Sequence, residues 1–351
     1  MIVNAGLYES LENKKVRCNA CSRQCVIPEG SGGFCFVRKN INGNLYLLSY
    51  GVVSALQLDP IEKKPFYHFN PGAYVLGVGT SSCNFGCLFC QNHNISKERE
   101  ISGIEIMPEE LISIAISKGA EGIAFTYNEP TIFIEYALDV AMLAHQKGLF
   151  TLFVSNGYMT KKTIDLMAGK IDAVVIDFKG NGERIFSNRF EAVISNEPIK
   201  ESVEYLLKLG FHVEITDLII PKVGDSAEAC DSLTKWLAGI SNDIPLHFTR
   251  FYPDYKMPDY PITSVSTLKK HYNIAVKNGL KYVYIGNVPD NVHDNTYCPS
   301  CGKSVIRRHG FYISAMHITK DKRCKYCGYQ ISINGKLRST NKRHNVIESI
   351  I

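Results

Sequence analysis

The chain has 351 residues, of which 45% are hydrophobic and 21% charged. That length suits one large α/β domain with small additions, and the composition is that of an ordinary globular protein. No apolar run reaches the length of a membrane span, and the opening stretch Met1–Lys15 lacks the apolar core and cleavage site of a signal peptide, so the expected location is cytoplasmic.

Twelve cysteines are many for a reducing compartment. Eleven fall into three clusters, and Cys230 stands alone inside a helical pattern as an apolar residue. Clustered cysteines of this kind read as metal or iron–sulfur ligands, not disulfides. The net charge is +5, yet residues 298–351 carry eleven Lys or Arg against Asp321 and Glu348. The plain reading is a solvated basic module; the sharper one is a docking surface for an acidic partner. Basic stretches interleaved with aromatics are missing outside this tail, which speaks against nucleic acid.

Along the chain, residues 1–70 form a Cys-rich, irregular segment. It carries Cys18-x2-Cys21-x3-Cys25-x9-Cys35, the apolar stretch Leu45–Leu58, and Asp59-Pro-Ile-Glu-Lys-Lys-Pro65. Four cysteines so spaced suit a structural zinc ion or an auxiliary iron–sulfur cluster; zinc is the expectation, with the cluster left open. Residues 71–296 alternate short apolar runs with helical patterns. The predicted strands are Tyr74–Thr80, Gly122–Tyr127, Leu149–Ser155, Ala173–Phe178, His212–Ile220, Leu246–Phe251 and Tyr282–Gly286. Helical spacing covers 131–147, 160–168, 200–209, 226–240 and 264–279. Strands alternating with helices imply a parallel sheet, and six units plus an extra strand fit a partial TIM-type (β/α)6 barrel. Residues 297–351 form a small module rich in Cys, Lys, Arg and Gly.

The first predicted strand runs into Gly79-Thr-Ser-Ser-Cys83-Asn-Phe-Gly-Cys87-Leu-Phe-Cys90. Three thiolates on one tight loop can hold three irons of a 4Fe–4S cluster. The fourth iron is then open to the amino and carboxylate groups of S-adenosylmethionine (SAM), whose reductive cleavage is the cofactor's own chemistry. A zinc knuckle completed by His93 is the competing reading. The loop lies at the strand ends where barrel enzymes place their sites. Other polar groups fall on the same rim: Thr126–Pro130 with Glu129, Ser155-Asn156-Gly157, and Asp177 with Lys179, which share one face of their strand. Charged residues on a strand this apolar are costly unless a polar ligand meets them; satisfied structural ion pairs are the alternative for each. Gly77-x-Gly79 lacks the rest of a dinucleotide fingerprint, so a Rossmann reading is discarded. In the last module, Cys298-x2-Cys301 and Cys324-x2-Cys327 present four thiolates, the pattern of a closed structural zinc site, with rubredoxin-like iron as the competitor. A folding role separate from the central chemistry is expected for it.

On these residues the sequence resembles the radical SAM superfamily, its glycyl-radical activase-like branch, and most narrowly the AmmeMemoRadiSam system radical SAM enzyme family. That resemblance runs over nearly the whole chain. It also rests on Tyr67-His68, Arg250-Phe-Tyr-Pro-Asp-Tyr-Lys-Met257 and Ile285-Gly-Asn-Val-Pro289. The resemblance implies that Glu129 holds the SAM amino group, after Tyr127-Asn128 where the superfamily usually has Gly-Gly. It further implies that Asp177 and Lys179 contact SAM and that His247 approaches the nucleoside. It implies an adenosyl radical that abstracts hydrogen from an unidentified substrate, and an electron donor such as ferredoxin or flavodoxin. The family's genomic association adds a pathway shared with a dioxygenase-like partner. A glycyl-radical activase acting on a protein, and a non-catalytic zinc-stabilised binding module, are the alternative functions.

Overall fold

A computed structural model of the chain describes residues 1–289, 291–338 and 348–351. Its centre is a run of seven parallel strands: β1 (Tyr74–Gly79), β2 (Gly122–Phe125), β3 (Phe150–Ser155), β4 (Ala173–Lys179), β5 (His212–Ile219), β6 (Leu246–Arg250) and β7 (Val283–Gly286). They pair in chain order. Helices fill the crossovers: α1 (Pro108–Lys118), α2 (Ile134–Gln146), α3 (Lys161–Met167), α4 (Arg184–Glu191), α5 (Glu197–Lys208), α6 (Ala227–Ile240) and α7 (Val265–Lys277). Beyond β1 the sheet continues with antiparallel Ala55–Pro60 and then Glu348–Ser349, while β7 ends the other edge. Both ends of the sheet stay open, so the architecture is the partial barrel that six units and a seventh strand imply.

Alternation along each strand gives the sheet two apolar faces. Leu76, Phe125, Phe153, Val174 and Ile176 share a core with Leu111 of α1, Ala137 of α2, Val203 of α5 and Leu237 of α6. The opposite, inner face carries Val75, Ala124, Leu152, Ala173 and Val175, and Ile61, Phe66 and Phe69 pack against it. The Asp59–Pro65 motif therefore leads into a plug that fills one end of the barrel and leaves the cysteine-bearing end to polar groups.

Around that plug lies a buried polar floor. Glu214 on β5 accepts the backbone N–H groups of Tyr67 and His68 at 3.0 and 2.8 Å. It also pairs with His212 and His247 at 3.0 and 2.9 Å. Burial alone would raise the Glu214 pKa; the two histidines overcome it and hold the carboxyl well below its usual range.

The two flanking segments add small sheets of their own. Residues 1–47 contain two three-stranded antiparallel sheets, and the later part of the expected N-terminal segment, Ala55–Pro60, is a strand of the barrel sheet. The C-terminal strands Thr296–Tyr297, Ser304–His309 and Tyr312–Met316 form their own sheet. Their core is not separate, because Val305, Ile306, Ile313 and Ile331 pack with Tyr67, Tyr282 and Tyr284 of the barrel floor. Arg308, 6% exposed, donates to the Tyr67 carbonyl at 3.1 Å and pairs with buried Glu62 at 3.8 Å. A small module with few apolar residues cannot bury a core alone, and this one borrows the barrel's. Residues 339–347 of the expected module lie outside the described residues, and Glu348–Ser349 pairs with Leu58 and Gln57 of the barrel sheet. Among the described residues no helix is long and apolar enough to cross a membrane.

Phe66 is fully buried at the plug. Phe66→Ala is expected to cost about 3–5 kcal/mol, read as a lower urea midpoint by circular dichroism; a midpoint within error of wild type would show that the plug does not support the barrel.

Candidate metal centre and cofactor site

The loop after β1 is fixed from both sides. Ser82 precedes Cys83 at φ +73, in the left-handed region, and its carbonyl accepts the Asn128 side-chain amide at 2.8 Å. Asn128 also holds Thr80, through the backbone N–H at 3.1 Å and the hydroxyl at 3.0 Å. From the opposite side, the C-terminus of α4 lies on the loop: Gly86 N–H donates to Glu191 O and Leu88 N–H to Phe190 O, both at 2.9 Å. A Cβ on Gly86 would meet the Ala192 methyl at 3.0 Å, tighter than an ordinary contact, so this close approach favours glycine. Lys256, from the Arg250–Met257 motif, donates its backbone N–H to Leu88 O at 2.9 Å.

The three thiols share one electrostatic environment. Cys87 is buried, and Cys83 and Cys90 are partly so. Burial pushes the Cys87 thiol well up, with Glu191 adding to the effect and Lys97 and Lys179 opposing it. Cys83 is raised by burial as well. Lys97 donates to Phe85 O at 2.8 Å; burial disfavours its charge, but Cys87, Cys83 and Cys90 together raise its pKa. Such a set, buried and bracketed by two ammonium groups, suits metal-bound thiolates, whose negative charge the lysines offset. His93 adjoins the loop through backbone: its Nδ1 lies 3.3 Å from the Cys90 carbonyl and 3.5 Å from Asp254, and its ring stacks on Tyr255 with centroids 4.8 Å apart. Three thiols without an added imidazole fit a 4Fe–4S cluster with one open iron better than a completed zinc knuckle.

Asp177, Thr216 and His247 stand opposite one another in register on β4, β5 and β6 and so share the inner face. Asp177 accepts a short hydrogen bond from the Thr216 hydroxyl. Lys179 contacts Asp177 Oδ2 at 3.3 Å. Burial works against the lysine charge, but Asp177, Cys87 and Glu191 outweigh it and raise its pKa above the ordinary value. Lys179 therefore stands between the cysteine loop and the barrel interior. His247 does not reach this opening. It is 2% exposed, bound to Glu214 and stacked on Tyr284 with centroids 4.9 Å apart, which sets it in the floor.

Glu129 is 2% exposed, and its carboxylate accepts from Thr131 N at 3.1 Å, Ser155 Oγ at 2.8 Å, Asn156 N at 2.8 Å and the Thr131 hydroxyl. Burial raises its pKa, and these four donors counter it. In the structure Glu129 thus ties the β2 loop to the end of β3. Asn156 continues the chain of contacts, donating its side-chain amide to Asn84 Oδ1 at 2.7 Å, next to Cys83. Tyr127 has φ +72, a conformation unfavourable for an aromatic residue. Its carbonyl accepts from the Asn92 side chain at 2.9 Å, and its hydroxyl lies 3.1 Å from Lys64 Nζ and 3.2 Å from Asp59 Oδ2.

The C-terminal cysteines Cys298, Cys301, Cys324 and Cys327 have all four Sγ atoms within 4.8 Å of one another, the one such group of three or more ligands among the described residues. Cys298 and Cys327 are 3.6 Å apart, and Cys301 and Cys324 are 3.8 Å apart. This set can hold a metal ion. Cys18, Cys21, Cys25 and Cys35 line one common cavity at the N-terminal side. Sequence reasoning missed Asn84, Lys97, Asn128 and Glu191. Lys97 follows the motif closely enough to invite inspection; Glu191 carries no local signal.

Comparison with known proteins agrees with this architecture. Residues 78–236 match the radical SAM superfamily. The chain is 43% identical over 94% of its length, and 98% of the other's, to the uncharacterized protein MJ0808 of Methanocaldococcus jannaschii. It is 23% identical to the pyruvate formate-lyase-activating enzyme of Clostridium pasteurianum, over 54% of this chain and 84% of that one. Among solved structures, a radical SAM methyltransferase from Sphaerobacter thermophilus superposes with a TM-score of 0.50 at 15% identity, covering 62% of this chain and 68% of that one. The chain belongs to the radical SAM superfamily, whose members are enzymes, and a glycyl-radical activase is among its relatives.

Because the C-terminal site shares a core with the barrel floor, Cys301→Ser is expected to lose its metal and to lower the thermal midpoint of the whole chain. The local cost is several kcal/mol, since metal binding and folding are one event there. Metal analysis and calorimetry on one sample test this; an unchanged barrel transition would show that the module folds independently after all.

Proposed function

We propose that this protein is a radical SAM enzyme that binds a 4Fe–4S cluster at Cys83, Cys87 and Cys90 and SAM beside it, and that acts on a substrate by hydrogen abstraction. The observation carrying this reading is the placement of three thiols, one buried and two partly buried, on one loop that Lys97 and Lys179 both approach. When bound, the cluster and SAM supply a 5′-deoxyadenosyl radical; the residues of the chain bind, orient and shield. Lys97 and Lys179 offset the thiolate charge. Asp177 and Lys179 face the polar part of SAM, the lysine with donors to spare because its bonds within the chain are long, 3.3 and 3.4 Å. Asn156 and Glu129 act as positioning residues: they lock the β2 and β3 loops against Asn84 so that the SAM-facing backbone keeps its shape. That differs from the direct contact the resemblance implies for Glu129, because its carboxylate is already saturated.

The C-terminal cysteines hold zinc in this reading. A single tetrahedral ion with metal–sulfur bonds of about 2.3 Å keeps its thiolates about 3.8 Å apart, the separation seen there. An electron donor of the ferredoxin or flavodoxin type serves the central cluster. Membership in the AmmeMemoRadiSam family, with a substrate shared with a dioxygenase-like partner, is the narrower assignment that the whole-chain motif pattern supports. The activase reading rests on the similarity to a pyruvate formate-lyase-activating enzyme; a co-purifying protein that gains a glycyl radical would favour it.

Cys87→Ala, reconstituted anaerobically with dithionite and SAM, is expected to form no 5′-deoxyadenosine by chromatography; continued SAM cleavage would refute the site. Lys179→Ala should keep the iron and weaken SAM binding about ten- to a hundredfold, in line with ~1.5–3 kcal/mol for a charged hydrogen bond. An unchanged SAM Kd would remove Lys179 from the binding site.

A further inference from the structure

The N-terminal cysteines differ in kind from the C-terminal four. Cys18, Cys21 and Cys35 are buried and Cys25 partly so. They surround a cavity also lined by Arg38 and Asn84. Their sulfurs do not draw together within 4.8 Å as the C-terminal set does. A closed zinc site pulls its thiolates to about 3.8 Å, whereas a cubane cluster sits between its ligands and holds them well apart. The four N-terminal cysteines instead line one small shared cavity.

Two buried donors lack partners at the same cavity. Arg38 is 1% exposed; its Nε donates to Ile132 O at 3.0 Å and its Nη2 pairs with Glu135, but Nη1 has no partner. Asn84 is 1% exposed; its Oδ1 accepts from Asn156, but Nδ2 has no partner. A buried donor left unsatisfied is unfavourable, so two at one cavity point to an acceptor-rich, anionic guest. The sulfides and thiolates of a cluster supply such acceptors, and hydrogen bonds to those sulfurs are a known means of tuning cluster potential. Asn84 is also the residue after Cys83, so a single side chain borders both metal sites.

We propose that Cys18, Cys21, Cys25 and Cys35 hold a second iron–sulfur cluster, with Arg38 Nη1 and Asn84 Nδ2 donating to its sulfurs. This reverses the expectation of zinc at these residues, and it stands independently of what the central loop binds. Its place beside the Cys83 loop suits one-electron relay. One electron leaves the N-terminal cluster as one enters the central site, and an external low-potential one-electron carrier restores it; no bond is made or broken and no proton moves.

The test is iron, sulfide and zinc analysis with Mössbauer and low-temperature electron paramagnetic resonance spectra of the full chain, reconstituted anaerobically. Wild type is expected to hold about eight irons and eight sulfides, two 4Fe–4S clusters, with zinc for the C-terminal site only. Cys87→Ala is expected to keep about four irons, in a cluster whose spectrum does not respond to SAM. Cys21→Ser/Cys35→Ser is expected to lose about four irons and keep the SAM-responsive signal. The wild-type count alone decides if a variant fails to fold: about four irons with a second zinc per chain overturns the proposal, as does a folded Cys87→Ala protein without iron. Loss of the SAM-responsive signal in wild type, with iron still at the N-terminal cysteines, would instead count against the function proposed above.

Discussion

Burying three thiolates at the end of a strand is unfavourable unless their charge is met, and much of this molecule follows from that constraint. Cys87 has almost no contact with solvent, and its desolvation is opposed by Lys97 and Lys179. Those two lysines arrive from opposite directions, one just after the cysteine loop and one at the end of β4. Holding them at the loop requires the strands to be in register, and that register rests on the plug of Ile61, Phe66 and Phe69 and on the Glu214 floor. Glu191, also beside Cys87, works against the two lysines: burial raises its pKa while Lys179 lowers it, and it opposes ionisation of Cys87.

The polar groups of the barrel divide accordingly. At the floor, Glu214 joins His212, His247, Tyr67 and His68 into a closed network that anchors the plug and the C-terminal sheet. At the rim, Glu129, Asn156, Asn84 and Asn128 join the loops after β1, β2 and β3. Each network is satisfied mainly from within the chain, as low-dielectric burial demands. Asn84 Nδ2 and Arg38 Nη1 are among the buried polar atoms left without a partner, and both residues line the cavity of the N-terminal cysteines.

Much of the fold was legible in the sequence because parallel strands buried on both faces are short apolar runs. All seven runs match β1 to β7 within two residues at either end. Helices α1 and α4 were not. Pro108 at its start and Gly119 at its end mark α1, yet its apolar residues run almost unbroken from Leu111 to Ile116, so no helical spacing stands out. In α4 only Phe186 and Phe190 give a helical spacing. The three cysteine sets were legible because thiolate spacing is itself chemical information. Residues that act through contacts between distant segments were not: Glu191 meets the loop across a hundred residues, and nothing near it marks that role. The contacts of His247 were hidden for a related reason. Alternation places it on the inner face with Asp177, but its partner Glu214, which ties it into the floor, becomes visible only when the strands are in register. Glu129 was marked by its place on the rim and given a role by resemblance, while its saturation by Thr131, Ser155 and Asn156 is a fact of tertiary structure.

The most direct measurement of the central claim is the low-temperature electron paramagnetic resonance spectrum of the reduced, reconstituted chain, with the N-terminal cysteines replaced so that one cluster remains, before and after SAM is added. If Cys83, Cys87 and Cys90 leave one iron open beside Lys179, the signal will shift on SAM addition. A cluster signal that SAM leaves unchanged, or three cysteines that bind zinc in place of iron and sulfide, would contradict the account.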